Sequence, residues 1–260
     1  MGNCNGCKSC GTHEVLLAID VGNSSMTMGF FQCGQLFLKT AIPLKECRKY
    51  FKRTVSAVKK KIPLGLSAVI ASVVPEMDGF VGSSLKSLGI KHKFLTYKNI
   101  EISIKCKNSS LIGIDRLINA FAASAIYKKD AIIVDCGTAT TFDIVLAKGE
   151  YLGGAIAPGV KTGMQSLGKK CSKLFEAEIK LPKLIVGKNT KEAIQSGVVY
   201  GHIAMITGMV DRIKSEINFK PVIIGTGGFI DLISKGTIMF DAVDPDLTLK
   251  GIGLAAMKGK

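Results

Sequence analysis

Val15-Leu16-Leu17-Ala18-Ile19-Asp20-Val21-Gly22-Asn23-Ser24-Ser25-Met26-Thr27-Met28-Gly29-Phe30-Phe31 is the stretch that decides the fold. The apolar run 15–20 ends in an acid. Residues 20–25 read as a polar turn, and 26–31 resume a strand-like run. Cys33-Gly34-Gln35 turns again into 36–40, so the opening reads as a β-meander. The order then returns. Residues 131–134 are apolar, Asp135-Cys136-Gly137-Thr138-Ala139-Thr140 is a polar turn, and 141–146 and 151–157 read as two further strands. Two copies of strand, Asp-x-Gly, polar turn and strand predict two similar domains facing one cleft.

The intervening chain fits that plan. Phe51, Val55, Val58 and Ile62 recur at helical spacing through a basic stretch, 45–61. A strand over 68–73, a helical pattern through Phe80, Leu85 and Leu88, and a short strand at 93–95 follow. Leu117, Ile118, Phe121, Ala122 and Ala125 mark a helix after Gly113-Ile114-Asp115-Arg116. A long helix is expected over 191–217, a strand over 222–224 closed by Gly225-Thr226-Gly227-Gly228, and a last helix over 248–258. The expected division is a tail at 1–14, a first domain at 15–110 and a second at 111–260.

Composition sets the outer limits. Hydrophobic residues at 47% and charged residues at 21% are a globular mix, not a disordered one. The net charge of +15 invites a nucleic-acid reading. Its densest stretch, with Lys45, Arg48, Lys49, Lys52, Arg53, Lys59, Lys60 and Lys61, reads instead as the solvated face of an amphipathic helix. A basic chain also attracts anionic small substrates. The apolar run 193–210 carries Gln195, Ser196, His202 and three glycines, which suits a core helix better than a membrane span. No secretory signal pattern opens the chain, so a cytoplasmic location with reduced thiols is expected. Cys4, Cys7, Cys10 and His13 have soft-metal spacing. Four consecutive ligands in a glycine-containing segment are atypical of structural zinc, and a flexible, dispensable tail is expected.

An acid at the end of a buried strand, before a tight glycine turn, is held in a fixed place. It can hold a divalent cation or the water around it. Glycine lets backbone N–H groups approach a phosphate, and Asn, Ser and Thr add donors. One such turn is an ordinary hairpin more often than a phosphate site; two, with a glycine-rich turn at 225–228, carry more weight. Competing motifs fail. No G-x-x-x-x-G-K-[ST] is present, and Gly225-Thr226-Gly227 lacks the third glycine of a dinucleotide fingerprint.

The blocks Ile19-Asp20-Val21-Gly22-Asn23-Ser24, Ser72-Val73-Val74-Pro75, Gly113-Ile114-Asp115-Arg116, Asp135-Cys136-Gly137-Thr138-Ala139-Thr140-Thr141, Gly153-Gly154-Ala155-Ile156-Ala157-Pro158-Gly159, Gly187-Lys188-Asn189-Thr190 and Asp244-Pro245-Asp246-Leu247-Thr248-Leu249-Lys250-Gly251 occur in that order. Together they resemble the acetate/sugar kinase, heat-shock ATPase and actin superfamily, and more closely the type III pantothenate kinases. The resemblance runs from about residue 15 to 256. It implies an α/β fold of two ribonuclease-H-like domains, each a mixed β-sheet with flanking helices, with an ATP cleft between them.

The resemblance implies ATP-dependent phosphorylation of pantothenate to 4'-phosphopantothenate, the first step toward coenzyme A. It implies Mg²⁺ with the ATP, a monovalent cation, K⁺ or NH₄⁺, and a homodimer. By position, Asp20, Val21, Gly22, Asn23, Ser24, Ser25, Met26 and Thr27 form the first phosphate loop, and Thr138 is a second nucleotide contact. Asp20 orients the hydrated Mg²⁺. Gly113, Ile114, Asp115 and Arg116 hold pantothenate, with Asp115 as proton acceptor and Arg116 on the carboxylate. Asp135 takes the monovalent cation. Thr190 reaches the substrate pocket across the dimer, and also serves as N-cap of the long helix. Family members usually have Thr where Ser24 stands and Ala where Ile114 stands. Rivals are a kinase of the same superfamily with another acceptor, and a regulatory protein on this fold. The long helix is apolar over more than one face, so it needs a second cover beyond its own sheet. A symmetric partner is the economical cover. On that reading a charge at Ile203 or Ile206 weakens dimerisation; if the helix is simply a core helix, the charge unfolds the protein.

Overall fold

The computed structural model describes residues 14–62 and 65–258; the Cys4, Cys7, Cys10 and His13 cluster lies outside them. The chain divides into two units. Of the described residues, the first holds 14–62, 65–100, 110–118 and 248–258, and the second 101–109 and 119–247. Sequence alone suggests a single junction after 110, whereas the chain visits the first unit three times.

The first unit opens with β1 (Val15–Val21), β2 (Ser25–Gln32) and β3 (Gln35–Pro43), the expected meander. Helix α1 (Cys47–Lys59), β4 (Leu66–Ser72), α2 (Pro75–Ser87) and β5 (Lys91–Phe94) follow. The sheet order is β3-β2-β1-β4-β5. The meander pairs are antiparallel, and β1–β4 and β4–β5 are parallel, joined through helical crossovers. Cys47, Phe51 and Val55 recur every four residues and carry α1 into the core, leaving Lys52, Arg53 and Lys60 in solvent. Met77, Val81 and Leu85 do the same for α2. Leu17, Ile19 and Phe51 are wholly buried in this cluster; each such side chain contributes about 1.5–3 kcal/mol.

A short strand β6 (Ser103–Ile104) precedes α3 (Ile114–Tyr127), along which the chain passes from the first unit to the second. The second unit repeats the first: β7 (Ala131–Cys136), β8 (Ala139–Val145) and β9 (Glu150–Pro158) form a meander. After α4 (Val160–Lys170) and α5 (Thr190–Glu216) come β10 (Val222–Thr226), α6 (Ile230–Ile233) and β11 (Ala242–Val243). The sheet order is β11-β10-β7-β8-β9-β6, which is the first sheet's order with β6 added at the edge. The repeat read from two Asp-x-Gly turns is therefore a repeat of topology. Sequence periodicity does not pick out α4: its two glycines and Thr162 are weak helix formers, and packing of Val160 and Met164 supplies what propensity lacks.

The last helix, α7 (Leu247–Lys258), returns to the first unit. Leu249 and Phe31 approach Gly29 so closely that a Cβ there would stand 3.0 and 3.1 Å from them. Gly253 faces the Phe31 ring in turn, with 3.5 Å between the ring and the place of its Cβ. At Gly29 the missing Cβ leaves room for Leu249 of the helix; at Gly253 a Cβ would make an ordinary contact.

Among the described residues α5 alone is long and apolar enough to cross a membrane. Ile194, Val199, Ile203, Ile206 and Val210 sit instead in the second unit's core. Ile203 and Ile206 are thus core positions, and the interface expected at them is corrected. The exposed stripe of α5 is Ala193, Gly197, Gly201, Ala204 and Gly208.

Candidate active site

In the first unit, Asp20 is one residue short of the end of β1 and pairs with Thr27 on β2 and Ala71 on β4. The turn is closed by Gly22 N–H donating to the Ser25 carbonyl at 3.0 Å. The Ser24 carbonyl accepts from Leu44 N–H at 2.9 Å, which pins the turn from outside. Asn23 and Ser24 are exposed, while Asp20, Gly22, Ser25 and Thr27 are partly buried. Val21 and Met26 are wholly buried, so of the expected loop they can offer a ligand only backbone.

Gly113-Ile114-Asp115-Arg116 starts α3, also in the first unit. Ile114 is buried. Asp115 Oδ1 accepts from the Arg116 backbone N–H at 2.8 Å. A Cβ at position 113 would stand 2.5 Å from that oxygen, so glycine is what makes room for the carboxylate. Burial pushes the Asp115 carboxyl above the ordinary carboxylate range, against the opposing pull of Arg116. A carboxylate raised this way is a better proton acceptor than one in water.

In the second unit, Asp135 sits at the corresponding place on β7 and pairs with Thr141 on β8 and Thr226 on β10. Its Oδ2 accepts from Asn119 Nδ2 at 2.8 Å. Asn119 is wholly buried on α3 and holds the carboxylate in orientation. Sequence reading passes over it because it falls inside an apolar helical run. Asp135 Oδ1 occupies the space beside Gly227, only 2.3 Å from where a Cβ would stand; Gly227 has φ +94, a conformation that glycine adopts without strain. Phe229 N–H donates to the Cys136 carbonyl at 3.0 Å, fastening the glycine-rich turn onto the Asp-x-Gly turn. Burial, with the Asp135 charge adjacent, pushes the Cys136 thiol up to about 12, so it is an inert core residue.

Thr138 is exposed at the tip of this turn. Its carbonyl accepts from Gly159 N–H at 3.1 Å and Thr162 Oγ1 at 2.7 Å, both at the start of α4. A Cβ on Gly159 would stand 2.4 Å from the Gly137 carbonyl oxygen, so the contact requires glycine. Thr140, next along, is wholly buried, its Oγ1 2.9 Å from His202 Nε2 on α5. Burial lowers the His202 pKa, so the ring is neutral. Thr190 is exposed as the first residue of α5. The cap is Asn189, whose side chain accepts from Glu192 N–H at 3.0 Å, while Glu192 Oε2 accepts from Lys188 N–H at 2.8 Å. The capping role expected of Thr190 therefore belongs to its neighbour, and the Thr190 hydroxyl is not committed to the helix end.

Two units of one topology, each presenting an acid before a glycine turn, define the class: a protein of the actin-like fold. The likeness to MreB5 of Spiroplasma citri bound to ADP agrees, with TM-score 0.53 and 10% identity over 94% of this chain and 97% of that one. Residues 16–212 match the type III pantothenate kinase family. The chain is 38% identical to the type III pantothenate kinase of Dehalococcoides mccartyi strain CBDB1, over 92% of this chain and 94% of that protein. Its identity to the Desulforapulum autotrophicum enzyme of the same name is 40%, over 93% and 96%. The chain belongs to the type III pantothenate kinase family. It is accordingly a kinase, one that phosphorylates pantothenate with ATP and a divalent metal in coenzyme A biosynthesis.

Proposed function

We propose that the family's reaction, ATP-dependent formation of 4'-phosphopantothenate, is carried by these residues in the following roles. Phosphoryl transfer asks the protein for positioning and charge neutralisation more than for covalent help. Backbone N–H groups of the 20–27 turn and the Thr138 turn hold the phosphates. Asp20 orients the hydrated Mg²⁺. Gly113, Ile114, Asp115 and Arg116 bind pantothenate, where the planar Arg116 guanidinium suits its carboxylate. Asp115 takes the proton from the attacking hydroxyl. The observation that carries this reading is the Asp115 carboxyl: partly buried, raised in pKa, and given its space by Gly113.

Asp135 holds a monovalent cation, K⁺ or NH₄⁺, whose charge offsets negative charge near the phosphates. The donor set supports the fit: one carboxylate oxygen is fixed by Asn119, and the other lies in a crook that a Cβ on Gly227 would fill. The active unit is a cytoplasmic homodimer, with Thr190 reaching the partner's pantothenate pocket. The exposed small-residue stripe of α5 supports this, since nothing stands within 4 Å of where a Cβ would be on Gly197, Gly201 or Gly208. Following ATP consumption with pantothenate, in K⁺ or NH₄⁺ against sodium alone, tests the reading. Pantothenate-dependent turnover that needs K⁺ or NH₄⁺ is expected. No pantothenate-dependent turnover under any salt would overturn it.

A further inference from the structure

Among the described residues, two buried side-chain oxygens have no hydrogen-bond partner, Asp78 Oδ1 and Thr226 Oγ1. Asp78 lies on the partly exposed side of α2. Thr226 differs: it is wholly buried. A buried hydroxyl without a partner is a standing cost to the fold unless a ligand fills it. Thr226 ends β10, and its Cα partner on the neighbouring parallel strand is Asp135. Register partners on adjacent strands project from the same face of a sheet, so hydroxyl and carboxylate share one face. The next residue is Gly227, beside which Asp135 Oδ1 lies. In the first unit the corresponding partner of Asp20 is Ala71, which has no side-chain oxygen.

The geometry points to Thr226 as an oxygen ligand of the monovalent cation at Asp135. The inference rests on the preceding reading, in which that cation is held there. K⁺ exchanges its hydration shell for neutral oxygens at little cost. A hydroxyl next to a single carboxylate supplies such an oxygen without adding a second negative charge. Asp135 gives the site its charge and Thr226 gives it affinity for the larger, weakly hydrated ion. The Ala71 pairing leaves the Asp20 turn without that oxygen, in keeping with its assignment to hydrated Mg²⁺.

The test compares wild type with Thr226→Val, which keeps the shape and removes the oxygen, and Thr226→Ser, which keeps the oxygen. Binding is read without turnover, by thermal denaturation across a K⁺ titration at constant ionic strength and by ²⁰⁵Tl⁺ NMR with thallium as K⁺ surrogate. Kinase activation by K⁺ is a separate readout. Thr226→Val is expected to raise the half-saturating K⁺ concentration in all three by about tenfold or more, and Thr226→Ser to restore it. In K⁺-free buffer Thr226→Val should melt no lower than wild type, because it deletes an unpaired hydroxyl. Unchanged K⁺ half-saturation in Thr226→Val, or a lower melting temperature without K⁺, overturns the Thr226 role while leaving the kinase reading intact. Wild-type protein that neither binds K⁺ nor responds to it overturns the Asp135 assignment as well.

Discussion

The two Asp-x-Gly turns stand at the same point of the same strand order, yet they are built differently. The first spans three residues between strands and is pinned by one backbone bond from Leu44. The second spans two, is gripped by the start of α4 through Gly159 and Thr162, and is fastened to a glycine-rich turn through Phe229. In both units the segment after the parallel strand reaches back: Val73 N–H donates to the Val21 carbonyl as Phe229 does to Cys136. Only in the second unit is that segment glycine-rich, and only there does the acid's carboxylate lie in the space that glycine leaves. A duplicated frame thus yields one more open turn and one tightly braced turn, the first proposed above for phosphate and the second for the cation. Topology fixes where an acid stands; the neighbours' lack of a Cβ fixes the space its carboxylate occupies.

The largest effect expected from breaking this division lies at Asp115. Asp115→Asn should lower kcat by about 10²–10⁴-fold, the usual loss for a general base. Its folded-state pKa is raised, so the stability it contributes is present at low pH and lost as pH rises through the folded value. Above that raised value the ionised group is a cost, and there Asp115→Asn should melt at or above wild type. Turnover of wild type should fall as pH drops through that raised value. Near-normal turnover in the variant would remove Asp115 from the mechanism.

Unequal bracing predicts an unequal response to one methyl group. Gly159→Ala forces a Cβ against the Gly137 and Thr138 carbonyls and should cost about 1–3 kcal/mol, with weaker ATP binding. Gly22→Ala places its Cβ 3.4 Å from the Ser25 carbonyl oxygen, an ordinary contact, and should cost less. Equal losses by denaturant titration would erase the contrast between the turns.

A charge on the exposed stripe of α5 should act differently from one in the core. Gly201→Arg should shift sedimentation toward a monomer and raise the KM for pantothenate while the fold persists. Ile206→Arg should unfold the protein, because Ile206 is wholly buried. A wild-type monomer with full activity would refute the dimer proposal.

The smallest effect lies at His202. Burial lowers its folded-state pKa, so the unfolded chain binds the proton more readily. Stability should therefore decline as pH falls below about 6.5, the ordinary histidine value. His202→Gln should flatten that part of the profile, measured by chemical denaturation at several pH values.

Strand periodicity and the two acids made both meanders, the basic helix and the long helix legible in the sequence. These depend on local alternation and on spacing along one segment. The family blocks singled out Asp20, Asp115, Asp135 and Thr138 as candidates for the same reason: each sits in a short contiguous motif. What the sequence could not determine depends on residues far apart in the chain. Asn119 looks like one more position in an apolar helix until β7 brings Asp135 within 2.8 Å of it. Thr226 is unremarkable in a glycine-rich turn until register with Asp135 leaves its hydroxyl buried and unpaired. Ile203 and Gly201 are both small-to-medium apolar positions of one helix, and only packing tells the core face from the open one. The return of α7 to the first unit brings Leu249 against Gly29, where a Cβ would stand only 3.0 Å from it, a contact between segments far apart in the chain. Local pattern determines which elements form and where the acids stand, because it acts through the chain's own neighbours. Partners, bracing and burial are set only when distant segments pack, and close packing decides those at the scale of a single methyl group.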